Sequence, residues 1–191
     1  MEASMKIFFS VLTLMVTVWV GTAHASGKAK NLPELKTVEQ VDLNRYLGQW
    51  FEIASFPKRF QRDCTATTAT YSLRQNGDIS VVNSCKLATL DGKLKEATGK
   101  AWVVDKVSNA KLLVQFFWPF SGDYWIVDLA KDYSYAVVGS PDRDYLWILS
   151  RTPTLNASLY SQILARITTQ GFDVSRLHRT WQPGFVSTPS P

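Results

Sequence analysis

Histidine and cysteine are scarce in this chain: two of each stand among 191 residues. So few ligating side chains leave no cluster with metal-binding spacing. A nucleophile elbow and a glycine-rich phosphate loop are also missing. The net charge of +5 is spread out, with no run of five or more like charges, so no nucleic-acid partner is indicated. The longest apolar-rich run, Ile7 to Val20, has 14 residues, too short for a comfortable membrane span. Nothing repeats. These absences argue against a metalloenzyme, a serine hydrolase and a nucleotide-binding fold, and no cofactor or metal is expected.

What surrounds that apolar run points to export. Met5-Lys6 precedes it and Ala23-His24-Ala25 follows it, the layout of a secretory signal peptide over residues 1–25. Ser26, not cysteine, comes next, so no lipoprotein anchor is expected. The mature chain, 191 − 25 = 166 residues, suits one domain. It is expected to be soluble, and periplasmic or secreted. Residues 26–40 read as an N-terminal arm, 41–182 as the folded body and 183–191 as a disordered tail.

The body is built of short apolar stretches between turn formers. Strands are predicted at Trp50–Phe56, Thr65–Leu73, Ile79–Cys85, Glu96–Val103, Lys111–Phe117, Tyr124–Leu129, Ser134–Gly139 and Tyr145–Ser150. Asn76-Gly77 is the strongest of the turn signals between them. After Pro153 the period changes: Leu155, Leu159, Ile163 and Ile167 recur every four residues, with Asn156 placed to cap the start and Gly171 the end. This predicts one amphipathic helix lying outside a sheet, with a last short strand at Leu177 to Trp181. Eight tightly linked strands indicate a sandwich or an up-and-down barrel. Leu112, Val114 and Phe116 share an inner face, Gln115 marking the outer one. Thr67, Ala69, Tyr71 and Leu73 share a face, as do Tyr145, Trp147 and Leu149. Small residues such as Ala54, Ala69 and Ala101 would leave internal room, and eight strands suffice to hold one small ligand.

Specific motifs narrow the choice. Gly48-Gln49-Trp50 resembles the first lipocalin signature, G-x-W. Lys131-Asp132-Tyr133 resembles the second, usually T-D-Y, with Lys131 departing from threonine. Arg151, in "WILSRTP", matches the third. "WFEIASFPKRFQRDC", "ATYSL", "YWIV" and "DRDYLWILSRTP" are similar to bacterial lipocalins of the apolipoprotein D type, over roughly residues 41 to 184. The resemblance implies an all-β fold, an eight-stranded antiparallel up-and-down β-barrel with one C-terminal α-helix packed on the outside. It implies binding, transport or storage of a small hydrophobic or amphipathic lipid, such as a fatty acid or lysophospholipid, and no enzymatic activity.

Successive turns of such a barrel alternate between its ends. Gly48, Trp50, Asp132, Tyr133 and Arg151 then meet at one end, which Trp50 would plug with Arg151 stacked on it. The entrance falls at the other end. Its rim would carry Lys58, Arg59 and Arg62, facing a ligand's anionic group or merely solvated. Trp118 and Phe120 would form a lid or a membrane-touching lip, or fold inward over the cavity. The wall would be Tyr71, Leu112, Val114, Phe116, Tyr124 and Trp147. Tyr71 and Trp147 match positions that related lipocalins use. The face of strand six leaves Tyr124 and Trp125 as alternatives.

Cys64 and Cys85, in an exported chain, suggest a disulfide. A regular hairpin centred on Asn76-Gly77 sets Cys64 against position 89, four residues from Cys85, roughly 13 Å along a strand. Pairing therefore needs a folded-back loop or a bulge; otherwise the thiols stay apart. Two other readings remain: an isomerase using Cys64 as nucleophile, and a membrane-surface or partner-binding module working through the Trp118–Phe120 loop. Partners are thus a small hydrophobic ligand and a transient membrane contact. Oligomeric state is not legible.

Overall fold

The computed structural model describes residues 32–184, with the side chain of residue 60 left aside. The signal peptide, the start of the arm and residues 185–191 of the tail lie outside the described residues.

A short helix, α1 (Leu43–Tyr46), precedes the strands β1 (Gly48–Ser55), β2 (Cys64–Leu73), β3 (Ile79–Leu87), β4 (Leu94–Val103), β5 (Lys111–Phe117), β6 (Phe120–Leu129), β7 (Tyr135–Gly139) and β8 (Leu146–Ser150). Helix α2 (Ala157–Thr169) and a two-residue strand, β9 (His178–Arg179), complete the chain. Each of β1 to β8 pairs antiparallel with its sequence neighbours, and β8 and β2 both pair with β1, closing an eight-stranded barrel. Closure removes the unpaired edges that an open sheet would expose.

Two hydrophobic cores result. One fills the lower barrel, where Trp50, Ile126, Ala136 and Val138 are buried on the inner face. The other lies outside, between the sheet and α2. Asn156 starts that helix by accepting from the backbone N–H groups of Ser158 and Leu159. Its buried Ile163 and Ile167 pack on Ile53, Phe56, Val137 and Ile148. Arg166 secures the same face, its Nε 2.8 Å from Asp128 Oδ2.

The N-terminal segment seals one end. Val41 N donates to Ser108 O at 2.8 Å, and Asp42 N donates to the Tyr133 hydroxyl at 2.8 Å. Asp42 also caps α1, which delivers Tyr46 beneath Trp50. Leu35, within the stretch assigned to the arm, is buried in the outer core.

Three sequence expectations change here. Ala54 faces outward, in the core beneath α2, because a bulge between Glu52 and Ala54 reverses the alternation of β1. Leu73, at the far end of β2, is exposed. The Asn76-Gly77 hairpin is one residue longer than a two-residue turn: Arg74 pairs with Asp78 and Gly77 takes φ +85°. A second bulge, at Ala66 with φ +48°, shifts the β2–β3 register again. Each shift is worth one residue. Cys64 therefore faces Leu87 instead of position 89, and its Cα lies 5.5 Å from that of Cys85. The two sulfurs are bonded. Of the alternatives the sequence left open, the bulge is the one found, and with the longer turn it cuts the four-residue offset to two.

Candidate binding chamber

The sealed end is built around a cation and a ring. Arg151, just past β8, lies with its guanidinium carbon 3.7 Å from the Trp50 ring centroid. Its Nη1 donates to Gln49 O at 2.8 Å, and its Nη2 to Arg45 O at 2.7 Å and Leu47 O at 2.9 Å. Arg45 lies in α1, Leu47 in the connection and Gln49 in β1, so one side chain ties the helix to the strand. Gly48 has φ +92°, and a Cβ there would press on Arg151 Nη1 at 3.4 Å. Trp50 Nε1 donates to Tyr46 O at 2.8 Å, which leaves no polar atom of the ring unpaired.

Above this plug the interior changes character. Leu112, Val114, Phe116, Tyr124 and Trp147 all pack on the inner core, as Tyr71 does. Tyr124, not Trp125, is the inward residue of β6; Trp125 packs on the outer core. Yet Val114, Phe116, Tyr124 and Trp147 are only partly buried. An inward side chain in a closed barrel meets solvent only through the lumen. These four lie toward the half of the barrel away from the plug.

Three hydroxyls cross the boundary between these halves. Tyr124 Oη lies 2.8 Å from Tyr46 Oη and 2.9 Å from Tyr71 Oη. Two bonds among three hydroxyls leave one O–H free to donate. Burial raises all three pKa values: that of Tyr71 to about 12, those of Tyr46 and Tyr124 well above the usual tyrosine range. An unfolded chain starts to ionise these phenols near pH 10, while the barrel still holds the protons. Stability from this cluster is therefore intact below about pH 10 and is lost as pH rises toward 12. The slope reaches about 1.4 kcal/mol per pH unit for each tyrosine. Denaturation midpoints measured from pH 9 to 12 should fall, and Tyr124→Phe should flatten the fall.

The other end carries the loops expected at an entrance. Phe117, Trp118 and Phe120 point outward, Trp118 with 86% of its surface exposed, so the β5–β6 hairpin does not fold over the lumen. Arg59 and Arg62 are exposed around a 3₁₀ turn at Arg59–Gln61. Lys58 differs: its ammonium sits 3.6 Å from the Tyr145 ring centroid and donates to Asp144 O. That contact ties the β1–β2 loop to the β7–β8 loop. Tyr145 in turn stacks on Trp147, centroids 5.8 Å apart.

Cys64 is bonded through its sulfur to Cys85, so in this structure it offers no free thiol to act as a nucleophile. Among the described residues no group of three or more His, Cys, Asp or Glu side chains is placed to hold a metal. Sequence reasoning missed Tyr46, whose position four residues before Trp50 was its only signal. It also missed Glu52, Gln61 and Thr180, which converge beside the entrance. A lone carboxylate inside the apolar run "WFEIAS" was the clue to Glu52.

Comparison with known proteins agrees with this architecture. A family model described as a lipocalin-like domain matches residues 41–182. The outer membrane lipoprotein Blc of Citrobacter freundii is 47% identical over 148 residues, covering 77% of this chain and 82% of that protein. Apolipoprotein D of Bos taurus is 34% identical over 171 residues, covering 85% and 86%. The structure of insecticyanin from the tobacco hornworm Manduca sexta gives a TM-score of 0.61 at 23% identity, covering 78% of this chain and 85% of that one. At that identity the structural likeness speaks for the fold alone. The three signatures meeting at the plug, the closed eight-stranded barrel and the family match agree: the chain belongs to the lipocalin family.

Proposed function

We propose that this protein binds a fatty acid or lysophospholipid, tail first, in the open upper half of the barrel, and carries or stores it. The supporting observation is the set of inward apolar side chains that solvent still reaches, Val114, Phe116 and Trp147. Tyr71, Leu112 and Tyr124 complete the proposed wall. Lipocalins bind small hydrophobic ligands, which fits a chamber without catalytic groups. Burying hydrocarbon contributes about 0.8 kcal/mol per CH₂. A long acyl chain thus gains on the order of 10 kcal/mol before ordering and association costs of several kcal/mol.

Displacement of a fluorescent long-chain fatty acid tests this. Affinity should weaken roughly tenfold for every two methylenes removed. Val114→Trp should block binding, while Leu113→Trp, on the outer face, should not. Equal binding by both variants, or no dependence on chain length, would sink the reading.

A second reading concerns the Phe117–Phe120 hairpin. Three exposed aromatics at the rim suit insertion into a lipid surface, where the chamber would collect or deliver its ligand. Flotation with lipid vesicles checks it: the native protein should co-float, and Trp118→Ala should reduce the bound fraction several-fold. The location proposed is the cell envelope or the exterior, after cleavage near Ala25. The mass of the exported protein tests that cleavage.

A further inference from the structure

A polar cleft opens where β1 parts from β2. The two strands pair only from Gly48↔Tyr71 to Phe51↔Thr68. Beyond that, β9 lies beside β1, and Gln182 Nε2 bridges the gap by donating to Glu52 O at 2.9 Å and Thr67 O at 2.7 Å. The resulting cleft measures about 410 Å³ and is lined by β1, the loop from Pro57 to Cys64, and β9.

Glu52 is its unusual wall residue. Only 6% of its surface is exposed. It shares the inner face of β1 with Trp50, two residues earlier. Its carboxylate accepts from Ser55 Oγ at 3.0 Å, Thr180 Oγ1 at 2.5 Å and Gln61 Nε2 at 2.9 Å. All three donors are neutral, and neither ion pair among the described residues includes Glu52. A buried carboxylate ordinarily has a cationic partner. Beside it, Gln61 Oε1 is buried with no hydrogen-bond partner at all. Since the Gln61 amide nitrogen already touches Glu52 Oε2, the orphaned oxygen and the carboxylate lie within reach of one donor group. A cationic group with at least two N–H bonds would satisfy both acceptors and balance the carboxylate's charge. A primary ammonium has three donors, and a quaternary ammonium has none.

The cleft's outer wall has the opposite sign. Lys58, Arg59, Arg62 and Arg179 line it, and Asp63 is the one acid there besides Glu52. A bare cation would be repelled there, whereas an anion next to the ammonium would meet guanidinium groups. We propose that this cleft binds the head of a zwitterionic amphiphile, its primary ammonium on Glu52 and Gln61 and its phosphate toward Arg59 and Arg62. The proposal rests on the chamber reading above, with the tail in the lumen.

Three lysolipids of one acyl chain provide the test, competed against the fluorescent fatty acid: heads of phosphoethanolamine, phosphocholine and phosphoglycerol. The native protein should bind the phosphoethanolamine lipid at least tenfold more tightly than the other two. Glu52→Gln should level the three affinities, each read against that variant's own affinity for the fluorescent acid. Gln61→Leu, on the 3₁₀ turn, should reduce the preference and serves as the second variant if Glu52→Gln does not fold. Free phosphoethanolamine should displace nothing; displacement by it would overturn a lipid as the source of the head. Equal affinity for the three heads, or a preference that survives both substitutions, overturns the headgroup site and leaves the chamber standing. Failure to bind any tail overturns the chamber and this proposal with it.

Discussion

Trp50→Ala should lower the unfolding free energy by about 4 kcal/mol, the cost of truncating a fully buried tryptophan. For a domain of this size that is a fall of roughly 10 °C in melting temperature. The ring is fully buried, lies against Tyr46, and carries Arg151 on its face. Its removal leaves a hole at the bottom of the barrel and strips the guanidinium of its platform. The stacking part alone contributes about 0.5–2 kcal/mol. Arg151→Ala should also destabilise, since four backbone carbonyls lose a donor. Because both substitutions dismantle one assembly, the double variant should lose less than the sum of the two. Urea denaturation of all four proteins measures that coupling. Strict additivity, or a loss below about 1 kcal/mol for Trp50→Ala, would show that the plug is not what holds this end together.

Breaking the Cys64–Cys85 bond is expected to have the next largest effect. The bridge closes a loop with a sequence separation of 21. On the chain-entropy model a loop of that length corresponds to about 3 kcal/mol. The paired substitution Cys64→Ser with Cys85→Ser should therefore shift the denaturation midpoint by nearly as much as the loss of Trp50. Affinity for the fluorescent fatty acid should change little, since neither cysteine is among the proposed wall side chains. A thiol assay on the folded, unreduced protein should find no reactive cysteine. One fast-reacting thiol would contradict the bond directly.

The strands were legible because period-two alternation and turn formers are local signals. Helix α2 was legible because its apolar residues keep a four-residue spacing and Asn156 stands at its start. What escaped was register. A bulge at Ala66 and an extra residue in the hairpin leave no mark in composition, yet together they bring Cys64 opposite Leu87 and make the disulfide possible. The bulge after Glu52 turned Ala54 outward in the same silent way. The plug was readable through the family resemblance, which brought Trp50 and Arg151 to one end. The direction of Trp118 was not, because a hydrophobic hairpin tip satisfies the same pattern pointing in or out. Lys58 read as a rim cation, but its ammonium is engaged by the Tyr145 ring and by Asp144 O, 86 positions away. The site around Glu52 was invisible because it is assembled from three distant segments, of which only one carries a charge on the carboxylate's side of the interaction.

The division of the interior has an engineering consequence. On the proposed reading, rigidity comes from the base and from the layer behind α2, while the upper half receives the guest. Mutational tolerance should divide along the same line. A library randomised at Val114, Phe116 and Trp147 would mostly fold and would differ in what it captures, whereas one randomised around Arg151 would mostly fail to fold. The molecule is in effect a fixed foundation with an interchangeable upper storey, and new specificities can be sought there without rebuilding the frame.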